Sequence, residues 1–420
     1  MKKQILLSAI ERISKLLFSY EYKCDARSNP NYFSREGGKI GFVNMIAITL
    51  NFLAKSIQKE LNDFFEHVMQ KTENVSKQAY SEARFKLTTD AFRIPYKETT
   101  IIGAEIPNPV TFKGYRILPV DGTTLALEDT DYLRSYYGVI GGEHGHAGAR
   151  ASVMVDVMNK GIVFDAQLDK YSVGENKFAM LHIDRLDELN IENPLLIFDR
   201  NYASVEMFEK LANTGFLFRI KRGFSPLIDR LPLGDVVMEI TIKKKTFTLR
   251  ILKFKLSTGE IETLVTNLPK FVMTTDDLKE LYNLRWGVET TYRTLKGALE
   301  IENFSGTSQQ IVEQDFFATM FLKNMVAFAK IDADAIVDSE KNEAKDNLHP
   351  QQVNESQLIG ILKDKLVMAL LETRPRVQKK KVTAIIREAT RFTVPIRPGR
   401  SSPRKRRHNK RFCMSGKRVL

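Results

Sequence analysis

The sequence predicts an α/β protein, with a mixed sheet in the middle of the chain and helical regions on either side. Three observations carry this. Residues 1 to about 100 read as mostly helical, with a loop near NPNYFSREGG. From about Phe112 short β-rich runs take over, in YRILPVDGTTLAL, ARASVMVDVMNKGIVFDAQL and PLLIFDRNYAS, with a helical stretch, GENKFAMLHIDRLDEL, before the last of them. Strands, a helix and then a further apolar strand are the pattern of a mixed sheet. Beyond about residue 307 the helical pattern returns, in VEQDFFATMFLKNMVAFAK and ESQLIGILKDKLVMALLE, joined by the charged link DSEKNEAKDNLHPQQ.

The early helices include NVSKQAYSEARFKL, where Ser76 is a fitting N-cap. Ala79, Tyr80 and Ala83 would be its buried face, and Lys77, Gln78, Ser81 and Arg84 would point elsewhere. Two readings stand side by side: a recognition helix of a helix-turn-helix unit, and an ordinary bundle helix. Between the central sheet and the later helices, GFLFRIKRG, KTFTLRILKF and ETLVTNLP give further strand signals over about residues 216–270.

With 420 residues the chain is long enough for two to four domains, and 43% hydrophobic and 10% aromatic residues are the values of a globular protein. The richest apolar run, IGFVNMIAITLNFLAK, is broken by Asn44, Thr49 and Asn51, too soon to span a membrane. Glu11 and Arg12 interrupt the apolar start, which suits an amphipathic helix better than a secretory signal. Two cysteines, Cys24 and Cys413, support neither a disulfide framework nor a thiolate zinc site and fit a reducing cytosol. The net charge is +13, and nine Lys and Arg with no acid fall between Gly399 and Leu420. Such a run is either solvated or bound to a polyanion, and phosphate neutralisation makes nucleic acid the leading partner. The tail has no apolar face that would favour a membrane surface.

The stretch YNLRWGVETTYRTLKG has helical spacing and sets Tyr282, Arg285, Glu289 and Lys296 on one stripe. On a single helix these positions fall within about 60° of one another along about 21 Å. The stripe is either an exposed face laced with ion pairs or a surface that meets a phosphate backbone while its acid holds a metal. Two more acids bear on that choice. Asp121 follows the apolar run RILPV and Asp199 follows PLLIF, so each is expected where a buried strand ends. Open α/β sheets place ligands there, although Asp-Gly turns and aspartate helix caps also occur at such points. With Glu289 the pair makes a possible oxygen-rich site for hard divalent cations.

On these residues the chain resembles the DDE transposases of the insertion-sequence-4 group. The signature Tyr-x2-Arg-x3-Glu-x6-Lys is met by Tyr282, Arg285, Glu289 and Lys296, VDGTT and FDRNY carry the two aspartates, and Trp286 and NFSG are also similar. The acids are spaced by 78 and 90 residues. The resemblance implies an RNase H-like catalytic core over 111–310 with a β-rich insertion at about 216–270. It implies a helical DNA-end-binding domain over 1–110 and a helical C-terminal region with a basic tail over 311–420. It also implies a catalytic and metal-binding triad of Asp121, Asp199 and Glu289, with two Mg2+ ions for which Mn2+ can substitute. Tyr282, Arg285 and Lys296 would bind DNA phosphates. The implied activity is binding of terminal inverted repeats, DNA cleavage and strand transfer, by a homodimer acting on double-stranded transposon ends and target DNA. The implied location is the bacterial cytoplasm and nucleoid, with no membrane partner. The rival readings are a catalytically silent DNA-binding relative and a metal-dependent nuclease without transposition.

Three other features carry less. EHGH, Glu143 to His146, suits a flexible loop better than a zinc site. Glu175 is expected to cap the helix that it begins rather than to sit near metals. The resemblance implies an aromatic in the insertion that traps a flipped base; Trp286 is the only tryptophan, so Phe216, Phe218, Phe224 or Phe247 would have to serve, or the step differs. Core packing is the ordinary role of such rings.

Overall fold

A computed structural model describes residues 4–34, 40–51, 56–71, 75–142, 144–342 and 349–397. The helices that open the chain are α1 (Ile5–Leu17), α2 (Tyr20–Ala26), α3 (Phe42–Thr49), α4 (Ile57–Asp63), α5 (Lys77–Arg84) and α6 (Asp90–Ala104). Next come β1 (Arg116–Ala126), α7 (Asp131–Tyr137), β2 (Val139–Ile140), β3 (His146–Asp156), β4 (Ile162–Lys170) and α8 (Glu175–Leu189). They lead to β5 (Pro194–Phe198), α9 (Val205–Lys210), β6 (Gly215–Arg219), α10 (Pro226–Arg230), β7 (Gly234–Ile242), β8 (Lys245–Lys255) and β9 (Ile261–Thr266). The remainder is α11 (Thr275–Leu284), α12 (Trp286–Lys296), α13 (Gln309–Val337), β10 (Gln351–Val353), α14 (Glu355–Leu370), α15 (Pro375–Ala389) and β11 (Thr393–Pro395).

The chain forms two compact units, one of Met1–Gly103, Leu125–Ala149 and Thr294–Leu420, the other of Ala104–Thr124 and Arg150–Arg293. The first is mainly helical. Its centre is α13, buried on nearly every side, with Phe316, Phe321, Met325 and Phe328 at most 1% exposed. Polar residues in this helix are matched inside the core: Asn324 donates to Thr99 at 2.9 Å and Lys330 to the Val353 carbonyl at 2.8 Å. The apolar stripe of α1, Leu6, Ile10, Ile13 and Leu17, is buried. No side chain at Gln4 caps α1; instead the Asp332 carboxylate accepts from the N–H groups of Ile5 and Leu6 at 3.0 and 2.8 Å. A carboxylate at a helix N-terminus satisfies free donors and the helix dipole together.

Helix α5 starts at Ser76, whose hydroxyl accepts from Ala79 N–H at 3.2 Å. Its buried face differs from the one expected. Tyr80 and Arg84 are inside and Ala79 is exposed. Arg84 is 1% exposed and bonds Asp315 at 2.7 Å and Gln314 at 2.9 Å. It fastens α5 internally and is not a side chain offered to DNA.

The second unit is built on a mixed sheet. Within it the strand order is β3-β1-β5-β6-β9-β8-β7, with β4 paired to β3. β1, β5 and β6 run parallel, whereas β9, β8 and β7 continue the same sheet antiparallel. Strands enclosed on both faces need continuous apolar runs, and Ile117, Leu118, Val120 and Leu195 to Phe198 are 0% exposed. The strand signals at 216–270 therefore correspond to β6, which joins the parallel core beside β5, and to β7–β9, which extend it. One expectation is corrected. β1 does not end near Asp121 but runs on to Ala126, because β3 remains its neighbour after pairing with β5 has stopped at Pro119.

Among the described residues no helix is long and apolar enough to cross a membrane.

Candidate active site

Asp121 and Asp199 are brought together by strand register. β1 and β5 pair in parallel from Arg116 with Pro194 to Pro119 with Ile197. Asp121 and Asp199 each lie two residues beyond that last pair, so they face the same way at one level of the sheet. The 78-residue spacing in the sequence equals the offset of the pairing. Asp121 accepts from the Gly122 N–H at 2.9 Å, and Asp199 from the Arg200 N–H at 2.7 Å.

The third acid arrives on a stretch that helical spacing predicts as one piece. It is two. α11 begins with a reciprocal cap between Thr274 and Asp277 and ends at Leu284; α12 starts at Trp286. Arg285, at the junction, donates its N–H to Tyr282 and accepts from Val288, both three residues away, a tighter winding than an α-helix. Gly287 accounts for the close seat of α12. A Cβ there would lie 2.5 Å from Val157 Cγ1, so a larger residue would push the helix off the end of β3.

From this junction Arg285 reaches both ends of the expected triad. Its guanidinium is 3.1 Å from Glu289 Oε1 and 3.6 Å from Asp121 Oδ2. The Tyr282 hydroxyl donates to Asp199 at 3.1 Å. Five of the six expected residues, Asp121, Asp199, Glu289, Tyr282 and Arg285, thus form one connected group. Lys296, at the end of α12, pairs instead with Glu302 at 3.1 Å.

The electrostatics follow from crowding. Burial pushes the Asp121 carboxyl up to about 6; the Gly122 N–H and Arg285 pull it down, while Asp199 and Glu175 push it further up. Burial, with Asp199 beside it, also raises the Tyr282 phenol, which keeps it a donor. Burial works against the Arg285 charge, but Tyr282, Asp199, Asp121 and Glu289 hold its pKa above the ordinary value. Glu262 on β9 is raised by burial and feels Asp199, with Arg219 paired to it at 3.2 Å.

Some members of the group were not expected. Glu175 does not cap α8: Gly174 holds the cap position, and Glu175 lies in the first turn, where a Cβ on Gly122 would meet it at 3.5 Å. It is paired with Arg150 at 3.4 Å. Tyr202 is 1% exposed, its hydroxyl has no hydrogen-bond partner among the described residues, and Asp121, Glu175 and Asp199 all act on it. The signal available in the sequence was the position of Tyr202 three residues after Asp199.

The donor set suits a hard divalent cation. Carboxylate oxygens are the ligands such ions take, and the crowding that raises Asp121 would be relieved by a cation. Among the described residues no three acidic, histidine or cysteine side chains already converge on one point. The guanidinium of Arg285 stands between Asp121 and Glu289.

The remaining candidates lie elsewhere. Glu143, the first residue of EHGH, and the basic tail from Gly399 to Leu420, with Cys413, lie outside the described residues. Phe216, Phe218, Phe224 and Phe247 pack around Phe208 with ring centroids 5.4–6.0 Å away, the usual role of core aromatics.

No curated protein matches the chain. A comparison with known families matches residues 112–325, just over half of the chain, to the transposase DDE domain. That span holds both aspartates, Glu289 and the helices between which Arg285 sits, and for this family an RNase H-like core, divalent metals and a DNA substrate are the rule. By this match the chain belongs to the DDE transposases.

Proposed function

We propose that the chain is a transposase of the insertion-sequence-4 group, which binds the terminal inverted repeats of its element and moves it by cut-and-paste. The observation that carries the reading is the placement of Asp121 and Asp199 at one level of adjacent parallel strands, with Glu289 linked to Asp121 through Arg285. Asp121, Asp199 and Glu289 would hold two Mg2+ ions, or Mn2+ in their place. When bound, such ions lower the barrier for in-line attack on a phosphodiester by stabilising the attacking and leaving oxygens.

The chain's own residues then orient the DNA. Arg285 offers a planar fork that fits a phosphate as well as a carboxylate, Lys296 a point charge, and Tyr282 a hydroxyl donor. Arg285 bonds Glu289 and Tyr282 bonds Asp199, two of the expected triad, whereas Lys296 at the end of α12 is paired with Glu302. The helical N-terminal region would bind the transposon ends. The C-terminal helices and the basic tail would help to pair two ends in a homodimer, in the cytoplasm where the DNA lies.

The test is cleavage and joining of terminal DNA in Mg2+. Asp121→Asn, Asp199→Asn and Glu289→Gln should each abolish both steps while end binding and melting temperature stay near wild type. Near-normal cleavage by any one removes that residue from the triad. Cuts without joined products would identify a nuclease, and end binding without cuts by the wild-type chain would identify a silent relative.

A further inference from the structure

Two hydroxyl groups converge on the peptide carbonyl of Asp121. Tyr292 donates to it at 2.8 Å and Ser152 at 3.1 Å. Tyr292 comes from α12, three residues after Glu289, so the two share a helix face. Ser152 comes from β3 and is itself held. Its oxygen is 2.9 Å from His182 Nε2, and His182 Nδ1 is 2.7 Å from Asp165. Asp165 also accepts from Gln167 at 2.7 Å.

A line of serine, histidine and aspartate can be a nucleophile with its base. Here that is ruled out by access, because Ser152 and His182 are 0% and Asp165 6% exposed. The histidine interrupts the apolar stripe of α8, among Phe178, Ala179, Ile183 and Leu186, where a polar residue is costly unless it is hydrogen-bonded. A buried line of this kind fixes whatever stands at its end, and at its end is the backbone of Asp121.

We propose that Tyr292 and Ser152, the latter backed by His182 and Asp165, are positioning residues that fix the Asp121 carboxylate relative to Glu289. Tyr292 ties the helix that bears one acid to the strand that bears the other. Ser152 ties that strand to the core behind it. The proposal rests on the reading of Asp121 and Glu289 as the reacting carboxylates. Outer partners of metal ligands typically matter by about 10- to 100-fold in affinity or activity, and a misplacement of about 1 Å costs a similar factor in rate.

Tyr292→Phe removes one hydroxyl and keeps the ring, and Ser152→Ala removes the other. Each full-length variant is compared with wild type for cleavage of terminal DNA in Mg2+, for its KM for DNA, for melting temperature, and for Mn2+ binding. Mn2+ binding is followed by quenching of Trp286, the chain's single tryptophan, whose ring lies 5.3 Å from the Arg285 guanidinium. The expected result is a kcat lowered about 10- to 100-fold, a KM within twofold, and a Mn2+ half-saturation raised several-fold, with melting lowered by a few degrees at most. If Tyr292→Phe keeps both kcat and Mn2+ half-saturation within twofold of wild type, the proposal is overturned; a kcat loss that only tracks the unfolded fraction overturns it equally. Should Ser152→Ala not fold, Tyr292→Phe decides alone. Asp121→Asn and Glu289→Gln run alongside. Wild-type cleavage by either overturns the reading of the site itself, whereas two inactive acid variants beside a normal Tyr292→Phe overturn the positioning frame and leave the site standing.

Discussion

Arg285 bridges Glu289 and Asp121, at 3.1 and 3.6 Å, from the single residue that separates two helices. A guanidinium between two carboxylates competes with any other cation for them. Arg285→Ala should therefore tighten Mn2+ binding several-fold, read by electron paramagnetic resonance, because like charges in a partly buried site repel strongly. On the proposed reading of Arg285 as a phosphate ligand, cleavage should nonetheless fall at least tenfold, because the forked donor is lost. Arg285→Lys should recover little of that loss. Unchanged Mn2+ affinity in Arg285→Ala would mean that the arginine does not compete for these acids.

Gly287 lets α12 approach Val157 more closely than any Cβ permits. Gly287→Ala should cost about 1–3 kcal/mol of stability through overpacking. Activity measured on the folded fraction should fall further, because the displaced helix carries Glu289 and Tyr292. Adding Val157→Ala makes room for the new methyl and should restore most of both. If the double variant is no better than the single one, the close approach is not what seats the helix.

Asp235 on β7 bonds the buried Arg250 through both oxygens, at 2.9 and 2.6 Å, and accepts from Thr275 at 2.8 Å. These bonds, Arg250 first, hold its carboxyl down to about 2 from an ordinary value of 3.8. A depressed carboxylate contributes stability above its unfolded pKa and loses it as the pH falls through the folded one. Asp235→Asn should thus be about 2 kcal/mol less stable than wild type at pH 7 in urea. The gap should close as the pH is lowered from about 4 towards 2. A gap independent of pH would assign the loss to shape rather than charge.

Deleting Gly399 to Leu420 removes nine cations without any acid. DNA affinity should fall on all sequences alike, and the slope of log affinity against log salt should flatten by about 0.9 for each phosphate that is no longer neutralised. An unchanged slope, measured by filter binding over about 50–200 mM salt, where affinity changes by orders of magnitude, would show that the tail does not touch DNA.

Much of the site was legible because apolar runs that end in an acid are short, local signals. RILPV before Asp121 and PLLIF before Asp199 mark two buried strands without any knowledge of the fold. What the runs do not reveal is how far a strand continues, and β1 runs on because β3 stays beside it. The break at Arg285 was hidden for a similar reason, since helical spacing is nearly unchanged across a single tightened turn. Long-range partners were the least visible. Arg84 reads as a surface cation until Asp315, 231 residues later, is placed against it. His182 gives a weak hint by its place in an apolar stripe, but Ser152 and Asp165 give none. The four phenylalanines near Phe208 pack against it, which is the ordinary role of such rings.

The Asp332 carboxylate that completes the start of α1 is 327 residues downstream of Ile5. During synthesis at about 5–20 residues per second, α1 therefore waits roughly 15–65 s for that partner to be made. The last residue of the second unit is Arg293. Every residue of the unit that bears the acids is thus translated before the helix on which the first residues pack is complete.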